Sequence, residues 1–252
     1  MPYFYSETSL ASLQQGDTFA LSERTFHHAV RVKRMRVNDT LTLFDHDTHA
    51  WQVTITDIRK KEAIARAEAP VFAPPPPRVK ITLALSVIAS DKFDIALQKA
   101  TELGVFEFRP LVTERSAPFD EKKIAHWRQT IISACEQCQS IVQPYCHPSM
   151  RFSDFMAMSP SKTAPVITLD ATASLPFADA LASLMSSPQI SAAIPASVTL
   201  MIGAEGGFSD EESAAMKRAG FLSAHLGERI LRAETAAIAA VAIAGQGFGF
   251  GK

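Results

Sequence analysis

At 252 residues, 47% hydrophobic and 20% charged, the chain has room for one large globular domain or two smaller ones. No uninterrupted apolar run approaches the roughly 18 residues of a membrane span, and the opening MPYFYSETSL lacks the basic-then-apolar pattern of a secretory signal. The net charge of -1 excludes nothing by itself, and three cysteines, Cys135, Cys138 and Cys146, cannot all pair within one chain, which suits a reducing cytoplasm.

The first part of the chain has β character. Thr18 to Leu21 follows the turn Gln15-Gly16-Asp17. Thr40 to Phe44 and Trp51 to Ile58 alternate apolar and polar residues, and Ala63 to Ala67 is a third such piece. Short strands separated by turn residues predict a small barrel. A helical piece, Ser22 to Val32, interrupts them. Within and just beyond it lies RTFHHAVRVKRMR, Arg24 to Arg36, with five basic residues, two histidines and no acid. Such a concentration in a near-neutral chain is the footprint expected for a phosphate backbone; a solvated basic face is the alternative.

Pro74 to Pro77 cannot continue a strand ladder and favour a stiff extended linker, so a domain boundary is placed there. Beyond it the rhythm changes. Lys80 to Ser86 reads as a buried strand, Asp91 to Gly104 as a helix, Val105 to Val112 as a strand broken by Pro110, and Glu121 to Cys138 as a long amphipathic helix. Pro165 to Leu169 is a strand and Phe177 to Met185 a helix. Ser159 to Ala173 and Ser186 to Ser197 are rich in small and polar residues and read largely as loops. Strands alternating with helices predict an α/β domain with a mostly parallel sheet.

Two glycine loops near the end carry the chemistry. The run Val198 to Ile202 stops at Gly203-Ala204-Glu205-Gly206-Gly207, and a helix start follows at Ser209. About twenty residues on, Phe221 to Leu226 stops at Gly227, and Glu228 to Arg232 leads into a helix starting at Glu234. In an open parallel sheet, ligands bind outside the carboxyl ends of the strands. A glycine loop there lets a ligand approach the backbone or cradles an anion, although a plain tight turn reads the same way. No Walker lysine follows either loop. Ser209 and Glu212 have capping-box spacing and are read as structural. Arg232 beside a helix start suits a phosphate or carboxylate, unless it pairs with Glu234 on the surface. Cys135 and Cys138 lie one helical turn apart without a second CxxC, which favours packing over a metal or redox centre.

These motifs together resemble the RsmE family, the 16S ribosomal RNA uridine N3-methyltransferases of the SPOUT class. The likeness rests on HHAVRVKR (His27 to Arg34), Leu43-Phe44-Asp45, QKATELGV (Gln98 to Val105), TERS (Thr113 to Ser116) and CEQC (Cys135 to Cys138). It rests above all on IGAEGGFSDEE (Ile202 to Glu212) and LGERILRAETA (Leu226 to Ala236), in that order and spacing.

The resemblance implies a PUA-like RNA-binding β-barrel over residues 1–73 and a SPOUT methyltransferase domain with a deep trefoil knot over residues 74–252. It implies S-adenosylmethionine held by Leu169, Asp170 and Ala171, by Ile202, Gly203, Ala204, Glu205, Gly206 and Gly207, and by Leu226, Gly227, Ile230, Leu231, Arg232 and Thr235. RNA would be held by Arg24, His28, Arg31, Lys33, Arg34 and Arg115, the enzyme would be a cytoplasmic homodimer acting on 16S RNA of the small subunit, and no metal would be needed. Arg232 is the expected stabiliser of charge on the uracil, and Glu205 the expected acceptor of its proton or aligner of the cofactor. In this chain Ala204 stands where the family's loop has proline, and Ser140 where it has arginine. A relative that binds RNA but has lost catalysis, and a nucleotide-phosphate enzyme, are the alternatives.

Overall fold

The computed structural model describes residues 1–118, 120–158, 164–186 and 196–248. Its backbone forms two compact units, Met1–Pro75 with Ile132–Gln143, and Pro76–Ile131 with Pro144–Lys252.

In the first unit the alternating segments become β1 (Tyr3–Tyr5), β2 (Thr18–Ala20), β3 (Thr40–Phe44), β4 (Ala50–Ile58) and β5 (Ala63–Val71), hydrogen-bonded in the order β1-β3-β4-β5-β2. Strand β1 was not expected. Its three aromatic residues show no alternation of polarity, and it pairs parallel with β3 across some forty residues of chain, an arrangement that no local pattern announces. Inward positions of the strands build a core of Phe4, Leu41, Leu43, Val53 and Ile55, closed by Phe26 and Ala29 from the helical piece.

That helical piece is not a uniform helix. Helix α1 (Glu23–Phe26) is capped by the Ser22 hydroxyl, and a π-helical turn follows over His27–Val32. The amide of Lys33 donates to the carbonyl of His28, five residues back, and Arg34 then takes a left-handed φ of 57°. Arg31, Lys33 and Arg34 are all exposed on this widened turn.

Asp45 knots the unit together. Only 1% of it is exposed, and its carboxylate accepts from the amides of Leu10, Asp47 and His49 and contacts the His49 ring at 3.1 Å. Burial alone would raise its pKa, but the Leu10 and His49 amides and the His49 ring outweigh that and hold it below the usual 3.8. A depressed carboxyl contributes stability above its unfolded pKa and loses it as pH falls through the folded value. Asp45→Asn is therefore expected to cost about 1–3 kcal/mol of unfolding free energy at neutral pH. Urea titrations across the acid range should show the gap from wild type closing at low pH.

The second unit is a parallel sheet. Its strands are β6 (Val79–Ser86), β7 (Glu107–Val112), β8 (Tyr145–Cys146), β9 (Met150–Arg151), β10 (Val166–Leu169), β11 (Leu175–Pro176), β12 (Ala196–Ile202) and β13 (Leu222–His225). They run in the order β11-β13-β10-β12-β6-β7-β8, with β9 also on β7, and every pairing is parallel. Strands β6 and β12 are buried almost throughout, as expected of central strands covered on both faces. Pro110 does not break β7. On the side away from β6, β8 pairs with Glu107 and Phe108 and β9 with Leu111 and Val112, so the proline falls between two partners.

The helices of this unit are α2 (Ser90–Glu102), α3 (Lys123–Cys138), α4 (Phe152–Ala157), α5 (Phe177–Met185), α6 (Asp210–Arg218) and α7 (Ala233–Gly247). The last turns of α3 group with the first unit. There Glu136 pairs with Arg24 at 3.1 Å and accepts the Tyr5 amide. Residues 159–163 and 187–195 of the two expected loops lie outside the described residues. The stretch expected as loop at Ala196 and Ser197 instead begins β12, because both residues pair in register with Val79 and Lys80 of β6.

Candidate active site

Strands β13, β10 and β12 are neighbours in the sheet, so the chain leaves all three at one edge. The segments that follow them, Leu169 to Thr172, Ile202 to Phe208 and, apart from Glu228, Leu226 to Leu231, line a single cleft of about 410 Å³. Its wall also includes Arg115, Asp210, Ser213, Ala233 and Ala236. That volume falls within the range of about 300–1,000 Å³ typical of small-molecule sites.

Each loop has its own reason for its shape. At Gly203 an added Cβ would lie 2.9 Å from the carbonyl carbon of Gly207. The glycine is there so that the loop can fold onto itself, rather than to admit a ligand. A bridge between Ala204 and Gly207, with the Gly207 amide donating to the Ala204 carbonyl at 2.8 Å, closes the turn, and Gly207 has a φ of 71°. Ala204 is buried and its carbonyl already accepts within this turn, so an alanine at this position leaves the closure in place. Gly227 has a φ of 120°, and its amide donates to His225 Nδ1 at 3.0 Å. Asp170 caps its own turn by accepting from the amide and hydroxyl of Thr172.

The capping box expected at Ser209 is present in both directions. The buried Glu212 carboxylate does more than cap. One oxygen accepts the Ser209 amide and the other accepts the amide of Glu114, which fastens the turn after β7 to the start of α6. Within that turn Thr113 bonds to Ser116 and to Ser86, and Arg115 donates from Nη1 to the Gly206 carbonyl.

The cleft gathers Leu169, Asp170, Ala171, Ile202, Gly203, Ala204, Glu205, Gly206, Gly207, Leu226, Gly227, Ile230 and Leu231 from the expected cofactor set. Arg232 and Thr235 are not in its wall. Arg232 is exposed at the N-cap of α7, between the lining residues Leu231 and Ala233, and is in no ion pair with Glu234 among the described residues. Glu205 is exposed at the tip of its loop. Thr172, Phe208, Asp210, Ser213, Arg229, Ala233 and Ala236 were not expected in the wall. The i, i+3 spacing of Asp210 and Ser213, and of Ala233 and Ala236, on the two helices that leave the loops is the signal that marks them.

The expected RNA-binding residues divide. Arg31, Lys33 and Arg34 are exposed, while His28 is half-buried. Arg31 donates to the Lys60 carbonyl at 2.7 Å, which brings the Lys60-Lys61 turn beside the basic stretch. Arg24 is largely committed to Glu136, and Arg115 lies in the cleft wall.

Two of the three cysteines, Cys135 and Cys146, are buried and not poised for chemistry. Burial pushes the thiol of Cys135 up to about 12 and that of Cys146 up to about 11, so neither offers a thiolate at neutral pH. Among the described residues no group of three or more His, Cys, Asp or Glu side chains could hold a metal ion.

One unit is a parallel sheet with a glycine-walled cleft at the carboxyl ends of its strands, and the other is a smaller β unit carrying a basic stretch. Residues 75–245 match the model of the RNA methyltransferase domain, and residues 21–68 match that of the RNA methyltransferase PUA domain. The chain belongs to the ribosomal RNA small subunit methyltransferase E family. It is 30% identical to the enzyme of that name from Rickettsia conorii, over 88% of this chain and 86% of the other. It is 28% identical to the one from Buchnera aphidicola of Schizaphis graminum, over 91% and 90%. Among solved structures, the family's protein from Neisseria gonorrhoeae, bound to S-adenosyl methionine, superposes with a TM-score of 0.83 at 30% identity, covering 98% of this chain and 97% of the other. A Legionella pneumophila methyltransferase in complex with the bound cofactor SAM gives 0.83 at 31% identity, over 97% and 96%.

Proposed function

We propose that this protein transfers a methyl group from S-adenosylmethionine to N3 of a uridine in the 16S RNA of the small ribosomal subunit. The observation that carries the reading is the convergence of three strand-end loops on one cleft, with the residues the family motif assigns to the methyl donor lining it almost without exception.

The cleft fits that ligand chemically. Leu169, Ile202, Leu226 and Leu231 offer apolar surface for a flat base, and Asp170, Glu205 and Asp210 offer carboxylates to ribose hydroxyls and an ammonium group. When bound, S-adenosylmethionine supplies a methyl on a sulfonium, already a good leaving group. Uridine N3 carries a proton and is a weak nucleophile, so the protein must position it and help the proton leave. Arg232, exposed beside the cleft, stabilises negative charge developing on the uracil oxygens. Glu205, at the loop tip, receives the N3 proton or aligns the donor.

Residues 1–73, within the first unit, serve as the RNA-binding domain, a PUA-like barrel, with Arg31, Lys33 and Arg34 on phosphates and His28 beside them. Residues 74–252 form the methyltransferase domain, with its chain threaded as a trefoil knot. The acceptor uridine must leave any stack it occupies before it can reach the donor. No described helix is long and apolar enough to cross a membrane, and the enzyme acts in the cytoplasm where subunits are assembled.

A homodimer is supported by α7. After Glu234 the helix has no charged residue, yet Ile243 is exposed and Ile238, Ala239 and Ala242 are only half-buried. A helix that is apolar all round is normally covered on all sides, and a second copy would cover this face. Ile243→Glu should shift sedimentation from dimer to monomer at micromolar concentration; an unchanged dimer would place the interface elsewhere.

Calorimetric titration tests the donor. S-adenosylmethionine should bind one site per chain, while ATP should not. A protein that binds ribosomal RNA but takes up no S-adenosylmethionine at all would instead mark a relative that has lost catalysis, and ATP binding a nucleotide-phosphate enzyme.

A further inference from the structure

The turn Thr113 to Ser116 has a basic residue and an exposed position, which fits a contact with RNA. Its hydrogen bonds lead inward instead. The Arg115 guanidinium donates to the carbonyl of Gly206, in the middle of the glycine loop. Its stem crosses the same residue so closely that a Cβ on Gly206 would lie 3.0 Å from Arg115 Cδ and 3.8 Å from its Cβ. Gly206 has no left-handed φ that would require glycine, so the arginine lying across it is the visible reason for the missing side chain. The turn that presents Arg115 is itself held from two sides. Thr113 bonds to Ser86 at the end of β6, and the Glu114 amide donates to Glu212 at 2.9 Å. The other Glu212 oxygen accepts the Ser209 amide, where the glycine loop enters α6. Both ends of the loop's outer half, Gly206 and Ser209, are thereby tied to a single four-residue turn.

We infer that Arg115 is a positioning residue for the methyl donor, a strap that holds the glycine loop in its binding shape through Gly206 while Glu212 anchors the turn that carries it. This deepens the proposed function and rests on it for the identity of the ligand. A fixed loop presents its backbone and Glu205 to the donor without the entropy cost of ordering them on binding. The strap also explains why TERS, EGG and SDEE, three separated motifs, occur together. They are one hydrogen-bonded assembly.

Four variants test it: Arg115→Ala, Arg115→Lys, Gly206→Ala, and the double variant Arg115→Ala with Gly206→Ala. In ligand-free protein, hydrogen exchange of the amides from Gly203 to Ser209 should accelerate by about fivefold or more in Arg115→Ala, with the melting temperature unchanged. Titration with S-adenosylmethionine should show its Kd raised about tenfold in Arg115→Ala and partly restored in Arg115→Lys, whose ammonium can still donate to the carbonyl. Gly206→Ala should weaken binding several-fold alone but add less than about twofold to Arg115→Ala, because the side chain it collides with is gone. Affinity for ribosomal RNA without the donor should stay within about twofold of wild type in Arg115→Ala.

Unchanged loop exchange in Arg115→Ala would overturn the strap regardless of any ligand. So would an equal cost of Gly206→Ala in both backgrounds, or a loss of RNA affinity with donor affinity intact, which would return Arg115 to the RNA surface. Accelerated exchange in a protein whose wild type binds no S-adenosylmethionine would leave the strap standing and overturn the proposed ligand instead.

Discussion

Replacing Arg232 with alanine should lower the turnover number for methyl transfer to small-subunit RNA by about 10²-fold or more, the usual cost of removing a donor aimed at charge that develops in the transition state. The melting temperature should not move, because the side chain is exposed and in no ion pair among the described residues. The affinity for S-adenosylmethionine should also hold, since Arg232 lies outside the cleft wall. A fall in kcat with an unchanged Kd for the donor is the signature of an interaction made with the acceptor. If turnover in Arg232→Ala equals that of wild type, Arg232 has no part in the chemistry, and Arg229, which does line the cleft, becomes the cation to test.

The second large effect is expected at Gly203. A methyl there meets backbone, the carbonyl carbon of Gly207 at 2.9 Å and its Cα at 3.0 Å, and no side chain can rotate away to relieve it. The only relief is to open the turn between Ala204 and Gly207, which displaces the loop that forms one wall of the cleft. Gly203→Ala should therefore weaken S-adenosylmethionine binding by about 100-fold or abolish it, while RNA binding through the first unit persists. Gly227→Ala is a useful contrast. Its φ of 120° makes any side chain strained, but the space around it is open. It should cost stability of the second loop, on the order of 1–3 kcal/mol, with a smaller effect on donor binding.

Much of the second unit was legible because its signals are local. Buried parallel strands read as apolar runs, Phe177 to Met185 shows helical periodicity, and Ser209 with Glu212 announces a helix start; each appears where expected. The two glycine loops located the cleft for the same reason, since a strand that ends in glycine before a helix cap is a short-range pattern. What the residues did not disclose is non-local. The parallel pairing of Tyr3 to Tyr5 with Thr42 to Phe44, and the membership of Ile132–Gln143 in the first unit, depend on contacts made across the length of the chain. The site divides along the same line. Residues inside the loops were found from the loops themselves. Arg115 was placed on the RNA through the resemblance, and its partner Gly206 is ninety-one residues away. Glu212 was recognised as a cap three residues from Ser209, whereas its second bond, to Glu114, spans ninety-eight. Arg24 looked like part of a free basic stretch only because Glu136, its partner, is carried there by the far end of α3.

The central claim is the atom that receives the methyl group. Small subunits from cells lacking this protein, incubated with it and with methyl-labelled S-adenosylmethionine, should take label into 16S RNA. After digestion to nucleosides, all of that label should co-migrate with N3-methyluridine and arise from a single position. Label in another nucleoside, in ribosomal protein or nowhere would contradict the account.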